Sequence, residues 1–310
     1  MVEAKEAQSA TSASHDASRL GVLIVEYRDP SGALRLAGAL SADPLLEIVI
    51  ISTGPTALRR AAPGVRIIHL PSNPGFGAAL NRGNEALSER VEHILMCNTD
   101  IHLGVDSVRR IWRYAMMTGW AQVSPMIVTS SGLVQWDGGH VDFRRLQIVH
   151  EGLGRLPTPG PEARATMFVT GACMLVRRDA WRAVGGIRED FFLYGEDVDL
   201  SLRFRRAGFK AGVVRCVQVV HDAGGSVGRY SPLQIYLMTR NDIRFFREWS
   251  PHLWGRLGGW VVVPLRLAWR LLRQRMGLSK LVWILRGVAD ARRNSRYYRF
   301  QGRGARVLPP

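Results

Sequence analysis

The 310 residues carry 46% hydrophobic side chains and a formal charge of +16. That apolar content supports a folded core and excludes a disordered chain. The three cysteines, Cys97, Cys173 and Cys216, are too far apart for a zinc site and exclude a disulfide framework, so buried free thiols in a reducing compartment are expected.

The charge is uneven. From Arg240 to Pro310 there are 16 Arg or Lys against 3 Asp or Glu. Such a segment attracts nucleic acid, anionic lipid or an acidic partner. Residues 1–18, mostly Ala, Ser, Glu and Lys, read as a disordered tail without the apolar region of a signal peptide, so the chain is expected to stay in the cytoplasm. No run reaches the roughly 18 uncharged apolar residues of a spanning helix.

In chain order, Gly21 to Val25 is a short apolar run of the kind found in buried parallel strands. Residues 31–42 fit a helix with Ser31 as N-cap. Glu47 to Ile51 and Val65 to Leu70 are further strands. Residues 77–90 read as a helix entered through a Gly-rich turn, and His93 to Cys97 as a fourth strand. This alternation predicts an α/β fold with a mainly parallel sheet and right-handed crossovers. Ligands of such sheets bind beyond the C-terminal strand ends. Helix is expected over 105–118, strands and loops over 121–150, and a mobile Pro- and Gly-rich loop over 151–165. Met167 to Val176 reads as an interrupted strand and 179–184 as a short helix.

A helix is expected after Gly195, with Leu200, Phe204 and Ala207 on one face and Gly208 at its end. Its start holds three carboxylates, Glu196, Asp197 and Asp199. A capped helix start with acidic first-turn residues explains one carboxylate well and three poorly; a general base beside apolar walls is the other reading, and this stretch alone leaves both open. Val213 to Val220 is another strand, closed by His221 and followed by a Gly-rich loop at Gly224-Gly225-Ser226. From 233 onward the chain reads as helical, with Pro264 expected to kink or restart a helix. Trp254, Trp260, Trp269 and Trp283 among Leu, Val and Arg suit a membrane interface better than an ordinary packed helix pair. Nucleic acid is the weaker partner, because no helix-turn-helix or zinc-finger pattern accompanies the charge.

Four constellations carry chemistry. Asn73-Pro74-Gly75-Phe76-Gly77, with Asn81 on the following helix, could bring backbone N–H groups to an anion. Asn98-Thr99-Asp100 follows an apolar strand and could anchor a metal-bound diphosphate. The third is the carboxylate segment. The fourth is His221, which could offer imidazole to an ion also held by Asp100.

Together these resemble the family-2 inverting glycosyltransferases of GT-A type, in their rhamnosyltransferase-like branch. The matching segments are Asn73 to Phe76, Asn98-Thr99-Asp100, Thr170-Gly171-Ala172, Gly185-Gly186-Ile187-Arg188-Glu189, Phe191 to Leu200 and His221. They cover residues 20–245. The resemblance implies a nucleotide-diphospho-sugar transferase fold, Rossmann-like, over 19–245, with a basic, Trp-rich helical extension over 246–310. It also implies a nucleoside-diphosphate sugar donor, Mg²⁺ or Mn²⁺ at Asp100 with His221, and Asp197 as the base with Glu196 beside it. Donor contacts are implied for Tyr27, Ser52, Asn73, Gly75, Phe76, Gly77, Asn81, Asn98, Thr99, Asp100 and Thr170-Gly171-Ala172. Arg240, next to Asn241, is expected to close over the diphosphate.

Two departures stand out. Glu26-Tyr27-Arg28 replaces the family's usual Thr-Tyr-Asn. Ser52-Thr53-Gly54-Pro55 replaces Asp-Asn-Gly-Ser, so the usual base-contacting carboxylate is missing, and Glu26 is one candidate to replace it. The favoured donor is dTDP-rhamnose, with UDP- or GDP-sugars as alternatives. The expected acceptor is a glycan or lipid-linked glycan of cell-surface polysaccharide synthesis, met at the inner face of the cell membrane. There the basic helices would gain on the order of 1 kcal/mol per cation near the surface. Removal of residues 250–310 is expected to release the protein from membranes. The alternatives are a transferase acting on a soluble natural product and a catalytically inactive nucleotide-sugar-binding protein.

Overall fold

The computed structural model describes residues 19–222 and 230–292. The expected tail at 1–18 and the Gly224-Gly225-Ser226 loop lie outside them.

Four parallel strands form one half of the sheet: β1 (Arg19–Glu26), β2 (Leu46–Ser52), β3 (Val65–His69) and β4 (Val91–Asn98). β1 pairs with both β2 and β4, and β2 with β3. Val22, Leu23, Ile24, Val49, Ile50 and Ile51 are buried, as expected for strands covered on both faces. The helices α1 (Pro30–Leu40), α2 (Phe76–Ala86) and α3 (Val105–Thr118) supply the cover. The cap of α1 is Asp29 rather than Ser31: its carboxylate accepts from Gly32 N–H, and Pro30 occupies the first turn. Such a cap contributes about 1 kcal/mol.

Beyond β4 the sheet becomes mixed. The order is β10-β12-β6-β11-β4-β1-β2-β3, with β5 (Ile101–His102) on β12 and β7 (Val134–Trp136) on β6. β6 is Gln122–Val128, β10 Ala163–Thr166, β11 Cys173–Arg177 and β12 Ala211–His221. β11 runs antiparallel to β4 and β6, while β6 and β12 are parallel. β8 (Gly139–Asp142) and β9 (Gln147–His150) form a separate hairpin. The interrupted strand expected from Met167 reduces to Cys173–Arg177, because residues 170–172 leave the ladder to contact the carboxylate helix. The 151–165 segment is tied down: Arg215 donates to Thr158 O and Asp137, and Glu162 O accepts from Arg215 and Cys216 N–H.

The short helix α4 is Arg178–Ala183, and the carboxylate helix α5 is Glu196–Arg206. Its acidic first turn and basic last turn both suit the helix dipole. α6 (Pro232–Trp249) runs across residue 245 and places Ile243, Phe245 and Phe246 in the main core. α7 (Leu253–Arg273) continues through Pro264 without the expected restart. α7 and α8 (Leu281–Arg292) bury Leu267, Leu271 and Ile284 with Ile235 of α6. α8 crosses α6 at Gly287, where a Cβ would stand 2.7 Å from Thr239 Cβ.

Candidate active site

The parallel strands end along one edge, and β4 delivers Asp100 there. Strand pairing brings His221 to it: in the β5–β12 ladder His221 lies opposite Ile101. His221 Nε2 is 3.0 Å from Asp100 Oδ1. Gln135, on β7, fixes the ring. Its amide N–H donates to His221 O at 2.8 Å, which orients the amide. Its Oε1 then faces Nδ1 at 2.7 Å and accepts a hydrogen bond from the ring N–H. In the neutral ring this leaves a lone pair on Nε2, aimed at a carboxylate oxygen. Two acceptors this close need a positive charge between them, either a proton or a cation. One carboxylate and one imidazole fit a divalent ion whose other positions are filled by phosphate oxygens and water. No group of three or more His, Cys, Asp or Glu that could hold a metal exists among the described residues.

Asp197 joins the same edge through a relay of backbone contacts. Asn98 N–H donates to Ala172 O at 3.0 Å. One residue earlier, Gly171 N–H donates to Asp197 Oδ2 at 2.8 Å. Asp197 Oδ1 accepts from Val198 N–H at 2.8 Å. The Thr170-Gly171-Ala172 segment therefore connects the strand leading to Asp100 with the carboxylate helix. A Cβ on Gly171 would stand 3.4 Å from both Asp197 Cβ and Phe76 Cε1, so this residue has little room to grow.

The three carboxylates of α5 have different fates. Asp199 is fully buried and bonds Arg203 at 2.8 Å and Trp249 Nε1 at 3.0 Å, with Arg188 at 3.4 Å. It is a structural anchor. Glu196 is also buried, and its Oε2 has no partner among the described residues. Burial, with the charges of Asp197 and Asp199, pushes its pKa up to about 8. Glu196 is thus a buried neighbour of Asp197, beside it as expected and withdrawn from solvent. His150, at the end of β9, is close enough to feel the Asp197 charge: burial lowers its pKa and Asp197 opposes that shift.

Several expected donor contacts are engaged elsewhere. Gly75 N–H donates to Asn73 Oδ1, and Phe76 N–H to Phe192 O at 2.7 Å. A Cβ on Gly75, which has φ 97°, would stand 2.6 Å from Phe192 O. One on Gly77 would meet Ile187 Cγ2 at 2.4 Å. These glycines let two loops pack together, and the N–H groups of Gly75 and Phe76 are already paired rather than open to an anion. The side chain of Asn81 holds the backbone of Ile187 and bonds Glu189. Ser52 is fully buried and donates to Glu26 Oε2 at 2.8 Å, while Asp29 N–H donates to Glu26 Oε1. Ser52 therefore has no surface to offer a ligand, and Glu26 lies buried beneath Gly54. Arg240 is buried too: it donates to Asp190 O, Phe191 O and Asn241 Oδ1. Asn241 donates to Phe191, Leu193 and Tyr194 carbonyls. Instead of closing over a diphosphate, this pair holds a loop in which Phe192 and Tyr194 have φ of 66° and 71°. Tyr27, Asn98 and Thr99 stand at the strand ends as expected.

The model of glycosyl transferase family group 2 matches residues 93–291. The chain belongs to this family. It is a glycosyltransferase with a GT-A fold. An N-acetylglucosaminyl-diphospho-decaprenol L-rhamnosyltransferase of Mycobacterium tuberculosis is 27% identical over 236 residues, 68% of this chain and 74% of the relative. The low-salt glycan biosynthesis hexosyltransferase Agl10 of Haloferax volcanii is 22% identical over 231 residues, 72% and 73% of the two chains. Among solved structures, mannosyltransferase PcManGT of Pyrobaculum calidifontis, with GDP-Man and Mn²⁺, aligns at TM-score 0.52 and 11% identity, covering 88% of this chain and 85% of that one. GalNAc-T7 with UDP, GalNAc and Mn²⁺ aligns at TM-score 0.54 and 13% identity; the match covers 76% of this glycosyltransferase and 48% of GalNAc-T7.

Sequence reasoning missed Gln135 and His150. Val134-Gln135-Trp136 does place one polar residue between two buried apolar ones, which marks Gln135 as facing away from that core. Nothing in the sequence says that this face meets His221.

Proposed function

We propose that the protein is an inverting glycosyltransferase that moves a sugar from a nucleoside diphosphate to a hydroxyl of a lipid-linked glycan. The carrying observation is the Ala172–Gly171 relay, which ties Asp197 to the strand end that bears Asp100. Asp197 takes the proton of the acceptor hydroxyl. The acceptor oxygen forms its bond to the anomeric carbon as the bond from that carbon to the diphosphate oxygen breaks, and the electron pair leaves with the nucleotide. Gly171 N–H orients the base. Asp100 and His221 would hold Mg²⁺ or Mn²⁺, which supplies charge neutralisation for the leaving diphosphate. Tyr27, Asn98, Thr99 and Thr170 border the donor cleft. The favoured donor is dTDP-rhamnose; the name of the mycobacterial relative supports its rhamnosyl part and a polyprenyl-diphosphate acceptor. A working place on the inner face of the cell membrane belongs to the same proposal. In this reading residues 19–245 carry the chemistry and 246–310 the membrane contact.

The test is Asp197→Asn. Turnover should fall by about 10²–10⁴, while the thermal shift produced by the nucleotide sugar with Mn²⁺ persists. A variant that keeps its turnover removes Asp197 as the base.

A further inference from the structure

The outer face of α7 is uncovered among the described residues. Trp254, Leu257, Val261, Leu265, Trp269 and Leu272 recur every three or four positions and are 50% to 66% exposed. They form one stripe about 27 Å long at 1.5 Å per residue. The opposite face, with Val263, Leu267 and Leu271, is buried against the rest of the fold. Among the described residues no helix is long and apolar enough to cross a membrane.

Charge selects the occupant. Residues 251–292 contain eight Arg or Lys and one acid, Asp290, which is buried. Arg273 and Arg275, beside the C-terminal end of the stripe, are exposed, whereas Arg270 turns toward Asp242 of α6 and Arg256 toward Ser250 O. A second copy placed face to face would set these cations against their own kind. An anionic lipid surface accepts both the apolar stripe and its basic flanks.

The stripe also leads toward the chemistry. In the turn after α7, Gln274 donates to Tyr230 Oη and Lys280 to Tyr230 O, both at 3.0 Å. Tyr230 N–H donates to Gln234, whose side chain also contacts Tyr194, three residues before Asp197.

We propose that the outer face of α7 docks on an anionic bilayer, lying along its surface, and so presents the acceptor side of the cleft to lipid-carried glycans. The purpose of the docking rests on the lipid-linked-acceptor reading; the docking itself does not.

The test uses the full chain and sedimentation with phosphatidylcholine vesicles made with and without phosphatidylglycerol. The parent should bind the phosphatidylglycerol vesicles, and less so at high salt. Combining Leu257→Gln, Leu265→Gln and Trp269→Gln should weaken binding by about tenfold or more at an unchanged melting temperature, since all three are exposed. Arg273→Gln with Arg275→Gln should remove much of the salt dependence. Equal partitioning of parent and triple variant overturns the proposal. So does a parent that ignores both vesicles, or one that is a dimer dissociated by the triple change, which would make a second copy the occupant. Transfer to a short-chain, water-soluble glycosyl-diphosphate acceptor, unaffected by the triple change, separates the two readings: its absence in parent and variant alike counts against the acceptor assignment while vesicle binding stands.

Discussion

Gln135 holds one histidine by two bonds, to its carbonyl and to Nδ1. The consequence is a defined ring whose Nε2 points at Asp100. Outer partners of this kind typically contribute 10–100-fold in metal affinity. Gln135→Ala should therefore weaken Mn²⁺ binding by about that factor, measured by calorimetry in the presence of nucleoside diphosphate, with little change in melting temperature. Unaltered affinity would mean that His221 needs no such clamp. Asp100, His221 and Asp197 were legible in the sequence because each ends an apolar run or starts a helix, where topology alone assigns an edge. Ser52 ends a strand too, and Asn81 and Arg240 lie within helices, yet all three turn inward. A sequence places a polar residue at a strand end or on a helix but does not say which neighbour its side chain meets, and here buried carboxylates and loop carbonyls are the partners.

At the scale of elements, α5 leaves one carboxylate, Asp197, half-buried and withdraws the two around it from solvent. Asp199 is neutralised by arginines, but Glu196 is not, and its pKa stands at about 8 against an ordinary value of 4.5. Below pH 4.5 the group is protonated in both folded and unfolded chains. Between the two values the unfolded chain loses the proton and the folded one keeps it, so stability falls as pH rises. Above pH 8 the penalty is complete, on the order of a few kcal/mol. Glu196→Gln should thus raise the melting temperature little at pH 4 and progressively more up to pH 8. Asp197, Asp199 and Tyr194 are its charged or titratable neighbours, and none of them changes the sign. A stability difference independent of pH would place Glu196 in solvent. The loop ahead of α5 depends on a different device: Phe192 and Tyr194 carry positive φ, costing about 1–3 kcal/mol each, and Asn241 offsets this with three bonds to the loop. Asn241→Ala should lower both the melting temperature and turnover. α3 was legible as a helix and the buried strands as short unbroken apolar runs. The short strands β7, β8 and β9 were legible only as strands and loops over 121–150, and β10 lay in an expected mobile loop, since pairing rather than local pattern creates them.

Over the whole molecule, the final helices read from sequence as an appendage, and the fold gives them a second task. Val263 and Ala291 belong to the main core, and Leu267, Leu271 and Ile284 close a smaller one against Ile235. Four large aliphatic side chains, at about 1.5–3 kcal/mol each, match the whole stability of a typical domain, about 5–15 kcal/mol. Gly287 adds a close crossing on α6 that nothing else would fill. Removal of residues 250–310 would therefore strip α6 of its cover as well as removing the outer stripe of α7. The expected result is a chain that aggregates or melts far below the parent, and loss of membrane partitioning in it would carry no information about lipid. The exposed-stripe variants change only the outer face, and they should keep the parent melting temperature while leaving the membrane. A truncated chain that stays soluble, melts with the parent and still transfers sugar would instead show that α7 and α8 are dispensable to the core, and that the contacts of Val263, Leu267 and Ile284 hold only the helices themselves in place.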